Sequence, residues 1–346
     1  MTIRFKRFPL LVKLEILKSL DYREFFILTL CSLKIQNFLK TIKCKQMKFL
    51  RYFFDEKLIR IWTKDDEREK IPIIAFERVA FFDTTEKVEI VRIGSVVQPI
   101  VYFPNGERGY CVLKYIDTEE EVISNSIAQH VSGLLSKCSC VQLRARMSST
   151  SKMLPAFQGI TDTQFDGGNV DAKFLEKYFG RNPNQKSARI IQKVTGELAE
   201  NSNLLQISNL CLADSGSLSK HILRKFNGRD LHLYNADIDT FNLITFLKLW
   251  VSNKAYSNLK SLNVLKRYNF YSDFNLAIVQ KEVNLIAHNR QYPRFYNYKP
   301  EIYRMIGNNN PMRIVLRRSF VIRREGDGKV AFLLLEPDSF WFLVSE

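Results

Sequence analysis

Cysteine is scarce in this chain, with six in 346 residues at positions 31, 44, 111, 138, 140 and 211, and their spacing is irregular. That excludes a disulfide framework of the kind small secreted domains depend on. No Asn-x-Ser/Thr glycosylation sequon occurs anywhere. Both absences predict a reducing, intracellular home, cytoplasmic or nuclear. No apolar run approaches the roughly 18 residues needed to span a bilayer, so no membrane partner is expected. The basic N-terminus is followed by apolar residues, but Lys13 and Glu15 interrupt them, which a secretory signal does not tolerate.

Complete catalytic and metal-binding motifs are also missing. The four histidines, 130, 221, 232 and 288, are scattered and belong to no nucleophile or metal signature. Cys138-Ser139-Cys140 is half of a zinc pattern, with His130 the nearest upstream candidate ligand, but a zinc site needs about four converging ligands. These cysteines read as small buried hydrophobes. Gly326-Asp327-Gly328-Lys329 lacks the rest of a phosphate loop and reads as a hairpin turn. The chain is therefore expected to be non-enzymatic, with no cofactor and no metal. Asp214-Ser215-Gly216-Ser217-Leu218-Ser219 has the form of a phosphorylation-dependent degron. The preferred reading is a strand-to-helix loop in which Ser215 or Ser217 caps the next helix.

What is present is an ordinary globular composition, 46% hydrophobic and 25% charged, on a chain long enough for two or three folding units. Lys and Arg number 52 against 36 Asp and Glu, a net charge of +16. Residues 1 to 60 hold 14 basic and 5 acidic residues, a local +9, so an acidic partner is expected there. Nucleic-acid binding is the runner-up reading of this surplus, because no DNA- or RNA-binding module is visible.

From Phe8 the apolar residues fall at helical spacing. Leu10, Leu14, Leu17 and Leu20 form one stripe, with Lys13, Glu15 and Lys18 on the wet side. Asp21 and Glu24 form a capping-box pattern for a second helix bearing Phe25, Phe26, Leu28, Leu30 and Cys31. Ser32 breaks it, and Ile35, Phe38, Leu39 and Ile42 mark a third. Three helices in about 35 residues bury too little apolar area to offset their ordering entropy. Part of their surface must face a partner or the body of the same chain.

This string, with Pro9, Ile16-Leu17-Lys18-Ser19-Leu20-Asp21 and Cys31-Ser32-Leu33-Lys34, closely resembles the F-box over residues 4 to 45. Phe8 stands where the usual Leu precedes the Pro, and Leu11 replaces an acidic residue often found two positions after it. The resemblance implies a surface for a Skp-type adaptor, made of Phe8, Pro9, Leu10, Leu14, Ile16, Leu17, Leu20, Phe25 and Leu28. Through that adaptor it implies a cullin and a RING subunit, and an unidentified target protein held by the rest of the chain.

Residues 40 to 70 read as a basic, then densely charged linker, with Lys64 to Lys70 as a solvated boundary. Val88 to Ile93, Pro99 to Phe103 and Gly109 to Ile116 predict a small antiparallel sheet with a turn at Pro104-Asn105-Gly106. Helices are expected over Glu119 to Leu135, Asp171 to Phe179, Lys186 to Ala199, Ser217 to Phe226 and Thr240 to Val251. Strands are expected over Cys140 to Arg144, Leu204 to Ile207, Leu231 to Tyr234 and Leu262 to Leu265. Such alternation implies parallel strands covered by helices. Placing Leu205, Leu231 and Leu262 at equivalent positions suggests an irregular leucine-rich-repeat-like layout. A hairpin of Ile314 to Arg323 and Val330 to Leu335, turning at Gly326 and Gly328, precedes an aromatic finish at Phe340-Trp341-Phe342.

The run from Ala236 to Leu265 and this C-terminal end resemble the type 2 F-box-associated domain, which implies a partner-binding role. The expected fold is α+β or αβ. A three-helix F-box over 1–48 leads to a linker and small antiparallel β region over 49–116. An αβ substrate-binding region follows over 117–346, with the F-box-associated domain at about 185–265. Outside the ligase reading, the chain would be a solenoid-like interaction module whose helices pack on its own body.

Overall fold

A computed structural model describes residues 7–41, 49–55, 57–65, 69–94, 96–103, 111–116, 122–134, 138–147, 154–266, 274–298 and 312–345. The protein is a mixed α/β chain with eight α-helices among these residues. It divides into two compact units, Met1–Arg146 with Ser151–Ile160, and Met147–Thr150 with Thr161–Glu346. Among the described residues no helix is long and apolar enough to cross a membrane.

The first unit opens with three short helices, α1 (Leu10–Ser19), α2 (Tyr22–Cys31) and α3 (Leu33–Thr41). Strands β1 (Phe49–Asp55), β2 (Leu58–Asp65), β3 (Glu69–Val79), β4 (Val88–Ile93), β5 (Val96–Phe103) and β6 (Val112–Ile116) follow, then α4 (Val122–Leu134) and β7 (Cys140–Met147). They form one sheet in the order β7-β1-β2-β3-β6-β5-β4. The described residues of the expected linker, 49–55, 57–65 and 69–70, therefore belong to strands β1, β2 and β3 and the turn between β1 and β2. Alternation in Leu50, Tyr52, Ile59 and Ile61 sends one face of β1 and β2 into the core, and the β2–β3 pairing runs out to Lys64 opposite Lys70 and Asp65 opposite Glu69. The sheet is not purely antiparallel either, because β3 runs parallel to β6 and β1 parallel to β7. The turn expected at Pro104-Asn105-Gly106 lies outside the described residues.

In the second unit, β8 (Asp162–Gly167), β9 (Asn169–Asp171), α5 (Ala172–Arg181), β10 (Ser187–Ile190), β11 (Lys193–Thr195), β12 (Asn209–Leu212), α6 (Leu218–Lys225), β13 (Asp230–Ala236), α7 (Thr240–Val251) and β14 (Ser261–Lys266) come first. Then come α8 (Leu276–Glu282), β15 (Ile286–Ala287), β16 (Phe295–Tyr298), β17 (Met312–Val315), β18 (Phe320–Arg323), β19 (Val330–Leu335) and β20 (Ser339–Val344). Five strands, β8, β10, β12, β13 and β14, lie side by side in chain order and parallel. Strands β20, β19, β18 and β15 extend the sheet antiparallel from β14. Two small pairs, β9 with β11 and β16 with β17, stand apart.

The parallel strands carry Phe165, Ile190, Leu212, Leu233 and Val264 on one face, all buried. Helix α5 packs there through Tyr178 and Phe179 against Phe165, and α7 through Phe246 and Trp250 against Phe342. Helix α7 spans the residues expected of it, capped by the Asp239–Asn242 pair.

Three sequence expectations fail in this unit. Lys186 to Ala199 is not a helix: Ser187–Ile190 forms β10, hydrogen-bonded between β8 and β12, and Lys193–Thr195 forms β11, paired with β9. Leu204 to Ile207 is not a strand; Asn203–Gln206 is a 3₁₀ turn, and the strand begins at Asn209. Leu210, not Leu205, therefore aligns with Leu231 and Leu262. Ile314 to Arg323 is not continuous: β17 pairs with β16 and β18 with β19. Gly326 and Gly328 do take positive φ in the β18–β19 turn, where L side chains are strained.

Candidate functional site

The N-terminal helices hold the residues singled out from sequence. Pro9 stands at the N-cap of α1 and Leu20 at its C-cap. Asp21 and Glu24 close the capping box of α2, with Glu24 N donating to Asp21 Oδ1 at 2.8 Å and Asp21 N to Glu24 Oε2 at 2.9 Å. Leu17, Phe25 and Leu39, one from each helix, form a small buried cluster, flanked by half-buried Leu20, Leu28, Ile35 and Phe38.

The nine candidate residues consequently separate by environment. Leu17 is 0% exposed and Phe25 is buried. Phe8, Leu14, Ile16, Leu20 and Leu28 are half-buried, whereas Pro9 and Leu10 face solvent. At the start of α1, Leu10, Leu11 and Val12 are 57%, 76% and 42% exposed. Leu11 and Val12 were not among the candidates, although their apolar character was plain in the sequence.

Below the α1–α2 turn a surface pocket of about 470 Å³ contains Leu20 and Leu28 and is closed by Arg23, Cys31, Tyr102 and Cys111. Tyr102 and Cys111 come from the β5–β6 region, a juxtaposition that no local pattern announces. Burial pushes the Cys31 thiol up, helped by the charge of Glu89. Burial also pushes the Tyr102 phenol up to about 12, helped by its contact with Cys111 Sγ at 3.6 Å. Neither group is an activated nucleophile at neutral pH.

Behind that surface α2 and α3 are tied to their own unit. Phe26 packs edge-on against Phe76 of β3, with ring centroids 6.0 Å apart. Buried His130 of α4 meets Gln36 Nε2 at Nδ1 (2.9 Å) and Thr29 Oγ1 at Nε2 (2.8 Å). Thr29 Oγ1 donates to Phe26 O at 2.6 Å, so the chain of bonds has the Gln36 amide donating to Nδ1 and the imidazole donating from Nε2. Cys138 Sγ donates to Cys140 O at 3.2 Å, and no group of metal-binding side chains occurs among the described residues.

In the second unit, the polar face of the parallel strands carries a buried His232, whose pKa falls to about 3 because burial, and then the charge of Arg189, disfavours imidazolium. Its Nε2 meets the Tyr298 hydroxyl. Cys211, one strand over, is pushed up to about 12 by burial despite Arg189. The degron-like serines are packed away: Ser215 is 2% and Ser219 0% exposed. Ser215 Oγ donates to Tyr234 O and Ser219 Oγ to Gly216 O. Ser217 occupies the N-cap of α6, one of the two expected positions, but makes no side-chain cap bond. No protein-family model, no curated protein and no solved structure matches the chain.

Proposed function

We propose that the chain is the substrate-recognition subunit of an SCF-type cullin–RING E3 ubiquitin ligase. The F-box-like helices dock a Skp-type adaptor, and the αβ region, with its F-box-associated character, holds the target protein. Ubiquitin transfer takes place on other subunits. The observation that carries this reading is the turn of exposed apolar residues Leu10, Leu11 and Val12, inside the string that resembles the F-box. An exposed apolar turn close in sequence to Arg7 and Lys13 suits an acidic adaptor with an apolar groove. The leucine-rich-repeat-like reading of the body draws support from the five parallel strands in chain order, with Ala188, Leu210, Leu231 and Leu262 in one row.

The test is capture of the full chain by purified Skp-type adaptor, compared with a Leu10→Asp/Leu11→Asp variant. Leu17 is unsuitable for substitution because its loss would damage the helix cluster rather than the surface. Capture lost with unchanged circular dichroism is the expected result, since charges would enter an apolar interface; capture retained would overturn the assignment. A second reading, an interaction module without a ligase role, is favoured by the buried Thr29–His130–Gln36 tie between the helices and their own unit. In that case neither chain is captured.

A further inference from the structure

Arginine gathers at one place in the second unit without acid to balance it. Across residues 283–298 and 312–323 there are six arginines and no lysine, aspartate or glutamate. Five of them, Arg290, Arg294, Arg313, Arg317 and Arg318, lie on adjoining pieces of chain, and all five are exposed. Among the described residues none of the five makes an ion pair or a side-chain hydrogen bond.

Backbone pairing brings them together. Along β17 the buried Ile314 and Leu316 alternate with outward Arg313, Val315 and Arg317. The strand ends in a turn in which Ser319 N donates to Leu316 O at 2.9 Å, with Arg317 and Arg318 at its tip. Leu316 N donates to Arg294 O at 3.0 Å, and His288 N donates to Ser319 O at 3.2 Å, which draws in the Asn289–Tyr292 turn that carries Arg290. Arg313 and Arg294 both lie over the Phe295 ring, 3.6 and 5.0 Å from its centroid. Such a contact uses the flat face of a guanidinium and leaves its in-plane N–H donors to a ligand. The two charges sit within one Debye length of each other, about 10 Å at 0.1 M salt.

We propose that this surface binds the phosphate backbone of a double-stranded nucleic acid. A guanidinium fork meets a phosphate bidentately, which a lysine ammonium does not, and this stretch uses arginine alone. Five cations on two turns and a strand pair are more than one phosphate group needs, so the partner is a chain of phosphates. The ring at the centre, Phe295, is half-buried and already covered by two arginines, so it offers bases no stacking platform. Contact through the backbone alone favours a duplex, which carries a charge about every 1.7 Å of its axis against about 3.4 Å for one strand. An anionic membrane also presents phosphates, but Val315 is the single exposed aliphatic on β17, which leaves it little to bury.

Fluorescence anisotropy of the full chain with a labelled DNA duplex, an RNA duplex and a single strand of equal length, across a salt series, tests this. Duplexes are expected to bind more tightly than the single strand and without regard to sequence, and the two duplex arms separate DNA from RNA. Arg317→Gln/Arg318→Gln is expected to lower the salt slope by about two and Arg290→Gln by about one. Taking two charges from elsewhere in the same unit, with Lys193→Gln/Lys254→Gln at exposed positions, should leave the slope unchanged. Circular dichroism should match the native chain in every variant, because all these side chains are solvated. The Leu10→Asp/Leu11→Asp chain should bind duplex as the native chain does, so the proposal stands or falls apart from the adaptor reading. An unchanged slope in Arg317→Gln/Arg318→Gln, single-strand affinity equal to that of the duplex, displacement by polyglutamate at equal charge, or binding to phosphatidylserine vesicles without binding to duplex would overturn it.

Discussion

His232 is fully buried, and its ordinary pKa of 6.5 is lowered to about 3 in the folded chain. The unfolded chain therefore takes up a proton near pH 6.5 that the folded chain refuses until about pH 3. Stability is fully present above pH 6.5 and is lost as pH falls towards 3. Between pH 6.5 and 5 this single residue should cost about 2 kcal/mol. Urea midpoints measured at both pH values check this, and His232→Gln should flatten the difference. Position decides residue behaviour just as sharply in α1, where Leu11 and Leu17 are the same residue type yet one is solvated and the other sealed. Leu17→Ala should cost roughly 2–5 kcal/mol, while Leu11→Ala should leave the melting temperature unchanged.

At the scale of elements, the N-terminal helices were legible because their signals are local. Asp21, Glu24 and Ser32 bound α2 at the expected places, and the helical spacing from Leu10 to Leu20 became α1. Removing the cap with Asp21→Ala should cost about 1 kcal/mol, read in the thermal transition. Misreadings fell where several local patterns compete. Ser187 to Ile190 has no helix breaker, and only its place between β8 and β12 makes it a strand. The Leu204-Leu205 pair looks like a buried strand, yet both side chains reach the core from a 3₁₀ turn. Strand β20 was legible only as an aromatic finish; it pairs with β19 just before it and with β14 about eighty residues earlier.

For the whole molecule the helices are not a detachable domain. Phe26, Thr29 and Gln36 fill the space over Phe76 and His130. A chain starting at residue 46 should therefore bind a hydrophobic dye and be cut rapidly by protease within residues 46 to 146, unlike the native chain. A capture experiment built on that truncation would mix loss of the docking surface with loss of the unit beneath it, which is why surface substitutions are the sharper test.

The sequence by itself determined the three amphipathic helices with their cap, the strand-and-helix alternation around α6, α7, β13 and β14, and the basic bias, because caps, periodicity and charge act over a few residues. Tertiary structure alone decided the faces. It turned Leu17 inward and Leu10, Leu11 and Val12 outward, brought Tyr102 and Cys111 to the α2 pocket, and buried Ser215 and Ser219. It also set Arg60 and Arg144 over the Phe53 ring. Those outcomes depend on pairings between residues tens of positions apart, whose energy comes from packing and shared hydrogen bonds that no local window contains.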